Sequence, residues 1–272
     1  MSGATLLAAC SAGQLLKITR RHAVVTAAAV FVAAIVVASV ASAQTGVAAI
    51  GTRLTANQQH IVPGNAVAGG IVINLPQRML FFRDAALSIE APIAVGRRTW
   101  QTPTGAFTIV EKRIDPVWHV PASIMRESER LGHELPPVVP PGTNNPLGKY
   151  WLGTSLTGIG IHGTNTPSSL SRAVTHGCIR AGADDIRGLF EAVTIGTPGN
   201  LIYEPILLAA VGGDVYLEVN VDVYRRVNTR PLDVVMELAA QAGATSRIDW
   251  DAASAVIAAH EGLARVITRR TR

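Results

Sequence analysis

One short segment carries the residues best suited to covalent chemistry. In the sequence THGCIR, residues 175–180, a cysteine follows a His-Gly pair and precedes an arginine by two positions. A second His-Gly pair, at 162–163, lies sixteen residues before Cys178. A thiol is a strong nucleophile only as the thiolate, and a free cysteine is mostly protonated at neutral pH. A cysteine with imidazoles close by therefore indicates a site for covalent catalysis.

Two histidines could act as the base for Cys178. His176 would share a strand face with the cysteine, where neighbouring side chains tend to lie parallel. His162 comes from a separate strand and can approach the thiol directly, so the spacing favours it, with His176 in support. The Gly163 carbonyl could hold the other ring nitrogen of His162. The alternative interpretation of Cys178 is an inert buried thiol.

Gly177 and Arg180 each allow two interpretations. The amides of Gly177 and Cys178 could donate to a tetrahedral oxyanion, an interaction worth about 3 kcal/mol per donor, or Gly177 could be a simple turn residue. Arg180 could bind a substrate carboxylate as a fork, or it could be a surface charge.

Zinc binding is the rival chemistry for the same residues. His162, His176 and Cys178 are suitable ligands, and His119 could be a fourth, but their spacing matches no common zinc pattern. We therefore expect neither a metal nor a cofactor.

The elements that position these residues are predicted to be mainly short strands. Strand-type runs occupy 71–75, 79–82, 88–95, 106–111, 158–161 and 199–203, separated by Gly and Pro punctuation. Short helices are predicted at 123–131 and 184–190. Seven of the fifteen prolines fall in residues 115–148, which we expect to form an ordered loop.

The first 43 residues have the pattern of an export signal. Three basic residues precede an apolar run at 23–40, and Ala-Ser-Ala at 41–43 fits a cleavage site. The alternative is an uncleaved anchor, since the run is close to the length of a membrane span. Cys10 lies in a lipoprotein-like box, which we interpret as coincidence because so few residues precede it. Cleavage would leave Cys178 as the only cysteine.

The remaining segments flank the strand-rich region. Residues 44–68 are polar without a clear period and are predicted to be a linker or lead-in. Residues 205–272 are predicted to hold a strand at 215–221 and two helices. The first helix spans 231–242 with Pro231 in its first turn, and the second spans 250–267 with Asp249 as N-cap.

The charge balance excludes one class of partner. The formal charge is +5, but three of the 24 basic residues lie in residues 1–43, which hold no acidic residue. The rest of the chain balances 21 basic against 19 acidic residues. So weak a surplus gives no basis for nucleic-acid binding.

Around Cys178 the chain resembles the L,D-transpeptidase (YkuD-type) catalytic domain, in which a His-Gly pair precedes Ser/Thr-His-Gly-Cys by about fifteen residues. Segments 95–107, 136–148 and 163–169 also look familial, so the resemblance covers residues 69–204. It implies a mainly β sandwich or barrel with short helices, followed by a small α+β tail at 205–272. A LysM module usually precedes the domain, and residues 51–55 resemble only a remnant of one.

The resemblance also implies a role for each site residue. These are Cys178 as nucleophile, His162 as base, the Gly163 carbonyl as its orienting acceptor, the Gly177 and Cys178 amides as oxyanion donors, and Thr175, His176 and Arg180 as supporting or substrate-binding residues.

The resemblance implies a periplasmic enzyme that acts on peptidoglycan stem peptides. Cys178 would attack the third-residue carbonyl of a tetrapeptide stem and release D-Ala. The thioester would pass to an amine, giving a 3→3 cross-link or attachment of an envelope protein. The alternatives are a hydrolase at the same site and a non-catalytic wall-binding protein. Membrane contact would occur only through an uncleaved leader, which would anchor the protein in the inner membrane.

Overall fold

The computed structural model describes residues 48–66 and 68–270. The predicted leader, its cleavage site and Cys10 lie outside these residues. The strands and helices in chain order are β1 (Ala48–Leu54), β2 (Ile61–Pro63), β3 (Ile71–Asn74), β4 (Met79–Arg83), β5 (Ser88–Gly96), β6 (Gly105–Ile114), β7 (Trp118–His119), α1 (Ala122–Arg130), β8 (Val138–Val139), β9 (Tyr150–Thr154), β10 (Gly160–His162), β11 (Ala173–Thr175), β12 (Ile179–Ala181), α2 (Ala183–Ala192), β13 (Pro198–Ile202), β14 (Ile206–Val211), β15 (Asp214–Val219), α3 (Pro231–Gln241), α4 (Trp250–Ala259) and β16 (Arg265–Val266).

The predicted mainly β fold with short helices is confirmed. Nine strands run in the order β11-β5-β12-β10-β9-β6-β13-β3-β4, and β4 also pairs with β5. This last pairing closes the sheet into a barrel, which leaves few unpaired edges. Its interior holds fully buried branched side chains, among them Ile73, Ile93, Ile161 and Ile179. Alternation along each strand sends one set of side chains inward and leaves the other set for the surface and the site.

A second sheet forms from the two ends of the described chain. Its order is β16-β15-β14-β1-β2, with β1 parallel to β14. Helices α3 and α4 pack on it and bury a separate apolar cluster that includes Leu217, Val235 and Ile248. The predicted helix at 231–242 is therefore present, with Gly243 just past its end at φ 61°.

The linker predicted for residues 44–68 is not what the structure shows over residues 48–63. There, β1 and β2 are paired strands whose Ala49 and Ile61 are buried. A Cβ on Gly51 would lie 2.0 Å from Ile61, so β1 needs a small residue at this position. The small residues that allow such close packing also remove the apolar alternation by which a strand is recognised in sequence. The LysM-like residues 51–55 fall almost entirely within β1.

The second predicted helix of the tail is shorter than expected. Asp249 caps it, accepting from the amides of Asp251 and Ala252, but α4 ends at Ala259 because His260 adopts a left-handed conformation at φ 31°. The apolar residues beyond belong to β16 and the buried Ile267, which return to pair with β15 and seal the second core.

A buried polar network joins the second sheet to the β3–β4 turn. The carboxylate of Glu218, fully buried on β15, accepts from the Gln77 side chain at 3.0 Å and from the Ile61 amide at 2.6 Å. His60 lies 3.1 Å from the same carboxylate. Because the buried Gln77 side chain and the Ile61 amide find their acceptor here, the network ties the tail to the barrel.

None of the helices within residues 48–66 and 68–270 has the length and apolar character needed to cross a membrane.

Candidate active site

Two neighbouring strands bring the predicted catalytic residues together. β10 and β12 are parallel, with Ile161 opposite Ile179 and His162 opposite Arg180. The two isoleucines are buried in the barrel interior. The alternation of side chains therefore places His162 and Arg180 side by side on the other face. Cys178 immediately precedes β12 and is close enough to Arg180 for the two side chains to interact electrostatically.

The sulfur of Cys178, the candidate nucleophile, lies against the β9–β10 turn. Cys178 Sγ is 3.4 Å from the Gly158 carbonyl, to which the thiol can donate. The backbone of Gly160 and the Arg180 guanidinium also influence the thiol and favour its ionised form. Gly160 begins β10 and His162 ends it, and as alternate residues of one strand they face the same side of the sheet.

The turn carrying Cys178 is held by hydroxyl groups. Gly177 has φ 112°, which favours glycine. Thr175 Oγ1 accepts from the Gly177 amide at 3.1 Å and donates to the Cys178 carbonyl at 2.6 Å. The Thr102 hydroxyl donates to the Gly177 carbonyl at 2.8 Å. Because the Gly177 N–H is engaged by Thr175, the structure departs from its predicted role as an oxyanion donor, and the Cys178 amide is the candidate that remains.

His162 is fixed by a backbone carbonyl and an aromatic ring. It is 4 % exposed, and its Nδ1 lies 2.7 Å from the Gly163 carbonyl, the acceptor expected from sequence. A carbonyl only accepts, so Nδ1 carries the proton and Nε2 holds the lone pair. The Trp151 ring stacks on the imidazole with centroids 5.9 Å apart. The ring also covers Gly160, where an added Cβ would lie 2.3 Å from the indole.

Burial keeps both partners neutral at rest. Desolvation lowers the pKa of His162 to about 4, with the Gly163 carbonyl opposing it. Burial raises the pKa of the Cys178 thiol, and this outweighs the Gly160 backbone and Arg180. Removal from water disfavours each charged form. Both groups are thus neutral in the resting site.

His176 is engaged on the opposite side of the turn. Its Nε2 lies 2.5 Å from Glu127 on α1. Arg97, at the end of β5, also pairs with that carboxylate, and Trp100 meets the imidazole edge-on at 5.2 Å. The Arg97 and His176 hydrogen bonds lower the pKa of Glu127 to about 2.

Arg180 forms no ion pair with a carboxylate within residues 48–66 and 68–270. Its Nε is buried and has no hydrogen-bond partner among the residues described. Burial lowers the pKa of Arg180, and the nearby Cys178 opposes this shift. A partly buried cation beside Cys178, with no ion pair to a described residue, suits a carboxylate ligand better than it suits a surface charge.

The sulfur opens onto a groove of about 400 Å³. Its walls are largely apolar and aromatic, and they come from β6, β9, the β9–β10 turn and the proline-rich segment, including Val117, Trp118, Leu156 and Ile159. Glu111 and Arg113 supply its charges, and the predicted fourth zinc ligand, His119, lies here too. Residues 48–66 and 68–270 contain no group of three or more His, Cys, Asp or Glu side chains that could hold a metal.

Sequence reasoning missed several residues of this site. Arg97 and Glu127 contact His176 from far along the chain, Trp151 contacts His162 from the neighbouring strand, and none of the three belongs to a local motif. The proline content of residues 115–148 did predict an ordered segment. Its order comes partly from the buried Asn145, whose amide donates to the Pro116 carbonyl at 2.8 Å.

A family model matches the part of the chain that contains this site. The family model for the L,D-transpeptidase catalytic domain, YkuD, matches residues 68–201. This range nearly coincides with the 69–204 expected from the motifs.

Individual relatives carry the same name. The chain is 36% identical over 176 residues to the probable L,D-transpeptidase ErfK/SrfK of Salmonella typhimurium, a match of 62% of this chain and 56% of that protein. It is 37% identical over 174 residues to the probable L,D-transpeptidase YbiS of Escherichia coli, again 62% and 56%. The putative L,D-transpeptidase YkuD of Bacillus licheniformis is 33% identical over 153 residues, covering 54% of this chain and 76% of that protein.

Solved structures give weaker matches. L,D-transpeptidase 3 from Mycobacterium tuberculosis aligns with a TM-score of 0.38 at 18% identity, over 50% of this chain and 60% of that one. The catalytic domain of the Enterococcus faecium L,D-transpeptidase aligns with a TM-score of 0.38 at 22% identity, over 49% and 95%. The chain spans just over half the length of the Salmonella and Escherichia relatives. From the family match and the Bacillus relative, the chain belongs to the YkuD L,D-transpeptidase family.

Proposed function

We propose that the chain is a peptidoglycan L,D-transpeptidase with Cys178 as nucleophile and His162 as base. The observation that carries this proposal is the pairing of β10 with β12. It sets His162 opposite Arg180, and Cys178, the residue before β12, lines the groove. Membership of the family supplies the substrate class, the stem peptides of the cell wall.

Acyl-enzyme formation starts from the neutral pair. Cys178 Sγ attacks the carbonyl of the third stem residue while His162 Nε2 takes the thiol proton. The Gly163 carbonyl holds Nδ1–H, which orients the ring and stabilises the imidazolium that forms. Because burial disfavours both charged forms, the proton moves together with the attack and no ion pair precedes it.

The tetrahedral intermediate then collapses. The Cys178 amide donates to the oxyanion, and Arg180 binds a carboxylate of the stem. The carbon–nitrogen bond to D-Ala breaks, and the His162 imidazolium returns its proton to the leaving amine. A thioester on Cys178 and free D-Ala are the products of this half-reaction.

An amine resolves the thioester. Its nitrogen attacks the thioester carbonyl, His162 takes the amine proton, and the thiol is regenerated. The amine is the third residue of a second stem, which gives a 3→3 cross-link, or a side chain of an envelope protein. We place this reaction in the periplasm, reached through the predicted export signal.

The first prediction tests the nucleophile. Incubation of the purified protein with a carbapenem is expected to add one acyl group to Cys178, because a strained lactam carbonyl is attacked as the stem carbonyl is. Cys178→Ala should show no adduct and no D-Ala release from isolated muropeptides. Intact-protein mass spectrometry with peptide mapping measures the first result, and chromatography of the products measures the second. Unchanged turnover in Cys178→Ala would contradict the proposal.

A further inference from the structure

We propose that Glu127 is a positioning residue of this site, which acts through His176 to fasten helix α1 to the turn that carries the nucleophile. The inference rests on the function proposed above, in which that turn presents Cys178 to the stem peptide. Glu127 belongs to the proline-rich segment and is neither nucleophile nor base.

The proton on His176 follows from its neighbours. A carboxylate only accepts and a guanidinium only donates. His176 Nε2 therefore carries a hydrogen and donates to Glu127 Oε2, 2.5 Å away. The 3.1 Å approach of Arg97 to the same nitrogen is a contact without a shared proton. Glu127 thus selects the ring state with hydrogen on Nε2, and the edge of Trp100 fixes the ring plane.

Arg97 is the third member of this group of contacts, and it belongs to the barrel. We call Glu127, His176 and Arg97 together the clamp. Its guanidinium pairs with Glu127 Oε1, while its backbone N–H donates to the Thr175 carbonyl at 3.0 Å. Glu127 is therefore held by two residues next to the same turn. Arg97 follows β5, and His176 comes directly before Gly177. Helix α1 and the Cys178 turn are joined at this point.

Helix α1 has little else to hold it in place. None of its nine residues is buried, no side chain caps its N-terminus, and no acidic residue lies in its first turn. A helix this short is marginal without external contacts. Among the hydrogen bonds of the described chain, Glu127 provides the only side-chain links from α1 to the barrel.

The exposure of the clamp decides which measurement is informative. The side chains of Glu127, Arg97 and His176 are 23–32% exposed, and partly exposed ion pairs contribute little to global stability. A role in positioning should therefore appear in kcat and in local protection of α1, with the unfolding midpoint nearly unchanged.

The experiment compares Glu127→Gln with Glu129→Gln in the full chain. Both variants remove one carboxylate from the same helix, but Glu129 is exposed and forms no ion pair with a described residue. Glu127→Gln is expected to lower kcat for stem-peptide turnover by about tenfold with KM unchanged, and to speed hydrogen exchange of the amides in 122–131. Glu129→Gln should match the parent protein in both measurements.

A double-mutant cycle separates action through His176 from a general effect on the helix. In a His176→Asn background, Glu127→Gln should cause no further loss of kcat, because the partner is already absent. Additive losses would overturn the proposal, as would equal exchange rates for Glu127→Gln and Glu129→Gln. The exchange measurement needs no substrate. It therefore tests whether Glu127 holds helix α1 in place even if the protein releases no D-Ala.

Discussion

At the scale of single residues, burial shifts the pKa values of the proposed nucleophile and its proposed base in opposite directions. A cysteine beside a histidine suggests a preformed thiolate, and the sequence gives no reason to doubt it. The tertiary structure lowers the pKa of His162 to about 4 and raises the pKa of Cys178, because both groups lose water. In the proposed mechanism the resting site is neutral, and the imidazole would act as a base only when the substrate is attacked.

This leads to a prediction about thiol reactivity. Alkylation of Cys178 by iodoacetamide should rise steadily with pH, without a plateau below the ordinary cysteine pKa, because only the thiolate reacts. A preformed thiolate–imidazolium pair would instead give a fast, flat rate from a depressed pKa of the thiol upward. Stopped-flow alkylation between pH 5 and 9, with Cys178→Ala as blank, distinguishes the two; a plateau near pH 6 would contradict the neutral pair.

At the scale of elements, the pairing of β9 with β10 fixes the base. Trp151 on β9 lies opposite His162 on β10, and its ring extends over Gly160. Trp151 Nε1 also donates to Glu111 on β6 at 3.0 Å. Three adjacent strands thus orient one imidazole through a single indole, which only glycine at position 160 can accommodate.

Gly160→Ala is therefore expected to disable the site. The new Cβ would overlap the Trp151 ring, which must move away from His162. We expect carbapenem acylation of Cys178 to slow by about 100-fold, a cost of the size that small misplacements of catalytic groups produce. The control is Gly188→Ala in α2, where an added Cβ would make an ordinary contact of 3.7 Å with Ile89. Similar acylation rates for both variants would show that the indole does not position the base.

At the scale of the whole molecule, the tail supports the nucleophile turn. The buried Tyr224 hydroxyl donates to the Gly96 carbonyl at 2.8 Å and accepts from the Thr102 amide at 3.1 Å. The Thr102 hydroxyl in turn holds Gly177. A segment outside the family match therefore reaches the site through two hydrogen-bonded steps.

Tyr224→Phe tests this connection. The loss of the hydroxyl leaves the buried Thr102 amide unpaired, which should lower the free energy of unfolding by about 1–3 kcal/mol and slow acylation of Cys178 severalfold. Tyr216→Phe removes the same group from β15, where the hydroxyl has no hydrogen bond to a described residue, and should alter neither property. Urea unfolding and acylation kinetics provide the measurements. An acylation rate in Tyr224→Phe equal to that of the parent protein would show that the tail does not support the site.

The sequence alone determined whatever depends on neighbours along the chain. The spacing of His162 and Cys178, the glycine at 177 and the strand periodicity from residue 71 onward are local patterns, and they identified the family and the barrel. The order in residues 115–148 also followed from composition, since prolines restrict the backbone locally.

Only the tertiary structure decided what depends on distant partners and on water. It turned the expected linker into β1 and β2, occupied the Gly177 amide with Thr175, and brought Glu127 and Trp151 to the two histidines. The β1–β14 pairing and the Glu127–His176 contact join residues separated by tens of positions, and no local pattern encodes such pairs. The contacts of Thr175 with Gly177 and of Trp151 with His162 are closer in sequence, but they depend on the geometry of a turn and on the pairing of two strands. Protonation likewise follows from desolvation, which exists only once the chain has closed around the site.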